Sequence, residues 1–169
     1  MTEQEKRLHR ACFTGHRPDK LAAESNLFPM SYVSNRLHEA ISDAIGNGIT
    51  TFISGMCPGI DILAAEEVIN MRQQDSSIKL IAAMPYPKFA FNWDDGWGQR
   101  VQNVLSQADF VKYVSPTYTG RSVFQIRNMW MIEHSHRLIA YWNGTPGGTK
   151  NTVDYCIKKN ENEFINCYT

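Results

Sequence analysis

A chain of 169 residues with 43% hydrophobic and 20% charged residues has the composition of a globular protein and not of a disordered one, and it is long enough to bury about 70% of its extended surface. Lys plus Arg and Asp plus Glu each number 17, so the net charge is zero and no broad nucleic-acid footprint is implied, although a local basic patch is compatible with it. No apolar run reaches transmembrane length and no apolar signal core follows the polar start, so a single cytoplasmic domain over residues 1–169 is expected, with no membrane partner.

Residues 1–10 form a polar lead-in of mixed charge. Ala11-Cys12-Phe13-Thr14 then reads as a first strand, broken by the exit loop Gly15-His16-Arg17-Pro18. Arg17 offers a forked donor for phosphate or carboxylate, and His16 either fixes the loop by a hydrogen bond or acts as a base. Asp19 to Met30 is a polar and aromatic connection. Ser31 can cap a helix from Tyr32 to about Ile45, in which Leu37, Ile41, Ala44 and Ile45 recur at helical spacing before Gly46-Asn47-Gly48 ends it.

Thr50 to Ser54 is a second strand. It runs into Gly55-Met56-Cys57-Pro58-Gly59-Ile60-Asp61, where Gly55 and Gly59 permit close backbone approach and Asp61 falls in the first turn of the next helix. That aspartate is either a plain helix-terminal charge or an acceptor for sugar hydroxyls, and it is the best-placed acid if hydrolysis occurs. Ile78 to Met84 is the third strand. The aromatic-rich segment from Pro85 to Trp93 could stack on a base or nicotinamide, or pack against its own domain or a partner subunit.

A helix from about Asp94 to Gln107 leads to a fourth strand, Phe110 to Val114, with Ser115 to Thr119 as its exit loop. Gly120 to His134 reads as helix, with Arg121, Arg127 and Asn128 as possible ligand contacts. His134 and His136 lack a convincing third ligand, so no metal is expected. Leu138 to Trp142 is the fifth strand, and it feeds Gly144-Thr145-Pro146-Gly147-Gly148-Thr149-Lys150-Asn151-Thr152. A helix opening on such glycines leaves backbone N–H groups unsatisfied, and these together with the helix dipole attract phosphate or carboxylate. The bland alternative is an ordinary turn with Thr149 as N-cap. The helix ends near Asn160, and Phe164 to Tyr168 reads as a last, edge strand.

Strands separated by helices indicate a parallel sheet with right-handed crossovers. In such a sheet the loops at Thr14 to Arg17, Gly55 to Asp61, Ser115 to Gly120 and Gly147 to Asn151 lie beyond the carboxyl ends of the strands, where ligands bind near a topological switch point. Cys12, Cys156 and Cys167 sit in or beside apolar runs and read as buried free thiols, whereas Cys57 sits in a turn and reads as the exception.

Phe13 to Pro18, Gly55 to Asp61, Arg127-Asn128 and Gly147 to Thr152 together resemble the small bacterial and phage YpsA-like family of the SLOG (SMF/DprA-LOG) superfamily. The resemblance spans residue 12 to about 157. It implies an α/β, Rossmann-like three-layer sandwich with a mostly parallel central sheet, and binding of a nucleotide-derived small molecule such as NAD or ADP-ribose. By that analogy Gly147, Gly148 and Thr149 cradle phosphate while Gly55, Gly59 and Asp61 line the neighbouring loop, with Thr14, Gly15, His16, Arg17 and Arg127 completing the site. The hydrolase signature of the superfamily, Pro-Gly-Gly-x-Gly-Thr with a nearby glutamate, is not met by Pro146-Gly147-Gly148-Thr149, and no clear basic and aromatic stripe is present, so DNA is not an expected partner. The functions in competition are a nucleotide-ligand binder or sensor, an N-glycosidic hydrolase using Asp61, and an interaction module with a vestigial cleft, in which Phe89, Phe91, Trp93, Trp97 and Trp130 form an oligomeric or partner surface.

Overall fold

A computed structural model describes residues 1–169. In chain order the elements are α1 (Glu3–Arg7), β1 (Arg10–Gly15), α2 (Pro18–Ala23), α3 (Met30–Gly46), β2 (Thr51–Ser54), α4 (Ile60–Arg72), β3 (Lys79–Met84), α5 (Trp97–Gln107), β4 (Phe110–Tyr113), α6 (Ser122–Glu133), β5 (Arg137–Tyr141), α7 (Gly148–Lys159) and β6 (Glu163–Asn166). The six strands form one sheet of order β4-β3-β2-β1-β5-β6. Every pairing is parallel. The fold is a Rossmann-like α/β sandwich, and strand order reverses between β1 and β5.

The strands' two faces follow from period-2 alternation. Ala11, Phe13, Phe52, Leu80, Ala82, Met84, Ile139 and Tyr141 point into a core shared with α3, α4 and α5. Cys12, Ile53, Ala83, Leu138 and Ala140 point the other way, against Met131 and Ile132 of α6 and Val153 and Cys156 of α7. With both faces covered, the central strands read as apolar runs rather than alternating ones.

Local departures from the sequence reading have local causes. The lead-in contains α1, closed by a Thr2–Glu5 capping box. The expected connection after Arg17 holds α2, which starts with Pro18 at its first position. Ser31 does not cap α3: the helix already begins at Met30, and Pro29 holds the extended cap conformation. Asp94 lies outside α5, because Asp95 and Gly96 take φ of 58° and 81° and turn the chain just before Trp97. All four cysteines are buried and free, Cys57 included, and burial pushes the Cys57 thiol up to about 11. No helix is long and apolar enough to cross a membrane.

Candidate functional site

Where the strand order reverses, the exits of β1 and β5 diverge and open a cleft of about 630 Å³. One wall is the β1 exit, Thr14 to Arg17, together with Lys20 of α2; a second is Cys57 and Asp61; a third is the first half of α6; the fourth is Pro146 to Thr149 with Asn151. Arg17, Lys20, Arg121 and Arg127 are among the residues that line it. This gives a neutral chain a locally positive hollow.

The glycine turn is held open rather than folded in. Gly147 takes φ 144° at the N-cap of α7, no side chain caps the helix, and neither Gly148 nor Gly144 has any neighbour within 4 Å of where a Cβ would stand. The first turn of α7 thus has no side-chain cap for its amides, and Gly147, Gly148 and Thr149 line the cleft. Thr149 is not the cap; its hydroxyl donates to the Gly15 carbonyl at 3.0 Å and ties α7 to the end of β1. Lys20 Nζ donates to Thr145 Oγ1 at 2.8 Å and to the Pro146 carbonyl at 3.3 Å, and Trp142 Nε1 donates to the Thr145 carbonyl at 2.8 Å. These bonds fix the loop in advance of any ligand.

His16 is 2% exposed, and its Nε2 accepts from the Asn143 backbone N–H at 3.0 Å. The proton of the neutral ring therefore sits on Nδ1, which has no partner. Burial, reinforced by the Lys20 charge, lowers the His16 pKa. The ring fixes the loop through Asn143, whose Nδ2 donates to Glu24 Oε1 at 2.7 Å.

The second glycine loop is built differently. Ser54 Oγ donates to the Asp61 carbonyl at 2.9 Å and accepts from the Met56 N–H at 3.1 Å, while the Cys57 N–H donates to Asp61 Oδ2 at 3.3 Å. Arg127, buried on α6, donates through Nη1 to the Gly55 carbonyl and through Nε to Asn128 Oδ1 at 2.8 Å. Burial pushes the Asp61 carboxyl up to about 6 against the opposing pull of the Arg127 charge, and burial lowers the Arg127 pKa in turn.

Thus Thr14, Gly15, His16, Arg17, Asp61, Arg127, Gly147, Gly148 and Thr149 all line one cleft. Gly55 and Gly59 do not. A Cβ on Gly55 would stand 2.9 Å from both Arg127 Cζ and Asp61 Oδ2, and one on Gly59 would stand 2.3 Å from the His16 carbonyl oxygen, so these glycines make room for the protein itself. The Ser115 to Gly120 loop also stays away: Ser115 N–H donates to the Pro85 carbonyl and Tyr118 packs its ring against Tyr86. Lys20 is the lining cation that the sequence reading missed. Pro18 at a helix start was its available signal, since a helix there turns Lys20 back toward the β5 exit.

A sequence model of the YpsA family, described as the YspA SLOG family, matches residues 11–169. The chain belongs to this family. Relatives include UPF0398 proteins of Bacillus cereus, 28% identical over 158 residues with 92% of this chain and 86% of the relative covered, and one of Bacillus thuringiensis, 27% identical over the same length and coverage. Among solved structures, this YpsA-family fold is similar to DNA processing protein A (DprA) of Streptococcus pneumoniae, with TM-score 0.60 and 17% identity over 93% of the chain and 49% of that protein. It is also similar to DprA of Helicobacter pylori, with TM-score 0.63 and 17% identity over 96% of the chain and 66% of that protein. The chain thus spans about half of one DprA and two thirds of the other, and the likeness establishes the shared fold.

The Helicobacter structure is described by its single-stranded DNA binding mode. This overturns the expectation that nucleic acid is an unlikely partner for a YpsA-family chain of this kind. That expectation rested on zero net charge and on the lack of a basic and aromatic stripe in the sequence, whereas Arg17, Lys20, Arg121 and Arg127, scattered along the chain, line one cleft.

Proposed function

We propose that the cleft binds a nucleotide-derived small molecule through its phosphate, with the α7 amides and the surrounding cations facing the anionic group. The observation that carries this reading is the meeting of an uncapped helix start, Gly147 to Thr149, with Arg17, Lys20 and Arg127 around one hollow. Family membership supports the ligand class, with NAD, ADP-ribose or a related nucleotide as the candidates. Native mass spectrometry with NAD, ADP-ribose, AMP, ribose 5-phosphate and a short single-stranded oligonucleotide tests it. Selective retention of a phosphorylated nucleoside, lost in Gly148→Asp, is the expected result. Equal retention by wild type and variant sinks the phosphate role of the turn.

A second reading has one observation of its own. Asp61 is a buried carboxyl with a pKa near 6 at the edge of the same cleft, placed to orient a ribose or activate water for N-glycosidic cleavage. Release of free base from bound nucleotides, followed by chromatography and abolished in Asp61→Asn, is what this reading requires.

A further inference from the structure

A second cavity of about 900 Å³ lies on the other side of Arg17 and is lined by Phe28, Met30, Trp93, Asp94, Asp95 and Trp97, among others. Arg17 and Asp19 line both cavities, so the two hollows adjoin. Their chemistry is opposed. The cleft sets Arg17, Lys20, Arg121 and Arg127 against Asp19 and Asp61, whereas the second cavity adds Asp94 and Asp95, whose side chains make no hydrogen bond or salt bridge with the rest of the chain. Unpaired carboxylates repel phosphate and accept hydrogen bonds from amino groups.

The apolar part of the cavity is incompletely covered. Trp93 is 38% exposed and Met30 is 46% exposed, although Trp97, Leu21 and Val33 beside them are buried. The Arg17 guanidinium lies 6.0 Å from the centre of the Trp93 ring, at the far limit of the range over which an aromatic face attracts a cation. Trp93 is nonetheless held in place: its N–H donates to the Ala90 carbonyl, its carbonyl accepts from Gly98, and the segment contains Lys88, Ala90 and Asp95 in the left-handed region. Non-glycine residues held at positive φ persist where surrounding structure enforces them, and such strain clusters at ligand clamps.

We propose that the Trp93–Trp97 cavity binds the planar, amino-bearing ring of the ligand whose anionic part occupies the cleft, so that one molecule spans the two hollows across Arg17. This inference rests on the proposed function for the anionic half. It adds a ring site on the opposite side of Arg17 from the glycine turn, and it selects ligands in which base and phosphate are separate ends of one molecule.

Calorimetric titration with ADP, adenosine and inorganic pyrophosphate separates the halves. In Trp93→Ala, ADP and adenosine are expected to weaken by at least about tenfold while pyrophosphate stays within about twofold of wild type, and Trp93→Phe restores most of the loss. Gly148→Asp is expected to do the reverse, abolishing pyrophosphate binding and sparing adenosine. If wild type binds pyrophosphate and ADP but Trp93→Ala leaves ADP unchanged, the ring site is wrong and the phosphate reading stands. If adenosine binds through Trp93 and pyrophosphate does not bind at all, the ring site stands and the phosphate reading falls. Failure of all three probes overturns both.

Discussion

The two glycine loops look alike as sequence and differ in what their glycines are for. In the loop after β2, side chains are excluded by protein: a Cβ on Gly59 would meet the His16 carbonyl oxygen at 2.3 Å and Arg17 Cα at 2.8 Å, at a φ of 99°. In the loop after β5, a Cβ on Gly148 would meet nothing within 4 Å. The first loop is thus a joint that lets β1 and α4 touch, and the second is a surface with its amides left open. A glycine-rich turn at a strand's carboxyl end signals close approach in either case, and only the structure says whether the approaching group is the chain or a ligand.

The sharpest way to break this contrast is to add a side chain to each loop. Gly59→Ala combines a backbone clash with positive φ and is expected to cost about 3 kcal/mol or more, a large part of a typical domain's stability, read as a fall in the urea midpoint. An unchanged midpoint would show that the loop after β2 is no joint. Arg127→Leu, which removes the donor to the buried Gly55 carbonyl and the positive charge near Asp61, is expected to cost about 3 kcal/mol in the same assay.

A smaller effect follows from the titration of Asp61. Its folded pKa of about 6 lies above the ordinary carboxylate value of 3.8, so the folded state holds the proton more tightly. This contribution to stability is complete below about pH 4 and is lost as pH rises toward 6, at no more than about 1.4 kcal/mol per pH unit. His16 works in the opposite sense: its lowered pKa favours the neutral ring, and stability is lost as pH falls below the ordinary histidine value. The difference between wild type and Asp61→Asn across pH 4 to 7 isolates the carboxyl, because His16 is common to both. A pH-independent difference would show that Asp61 is not held protonated.

The smallest expected effect on stability is that of Gly148→Asp. An acidic residue in the first turn of α7 suits the helix dipole, so the midpoint is expected to move by no more than about 0.5 kcal/mol in equivalent stability even as anion binding is lost. Large destabilisation would place the second loop in the same structural class as the first.

Much of this architecture was legible from pattern. Apolar runs such as Ile78 to Met84 and Leu138 to Trp142, alternating with helical periodicity, specify a parallel sheet, and the rule for switch points brings Thr14 to Arg17 and Gly147 to Thr149 together without any contact being known. The hidden parts depend on packing between distant segments. Lys20 reaches Thr145 only because α2 is a helix, Cys57 is buried because its turn packs into the main core, and the second cavity draws Phe28 and Met30 together with Trp93. The aromatic segment likewise divides between two roles that composition cannot separate: Phe89 and Trp97 are buried and unavailable to a partner, and Trp93 is not.

The strand order also carries a consequence for how the molecule comes into being. β1 is central, yet one of its two neighbours is β5, with Ala11 paired to Arg137. On the ribosome β1 to β4 can assemble with their helices on one face while the other side of β1 stays bare. The cleft is bounded by β1 on one side and by β5 and α7 on the other, so no chain that stops short of α7 possesses it. The cleft therefore forms late, when β5 and α7 join the far side of β1, and only the edge strand β6 remains to be added after it.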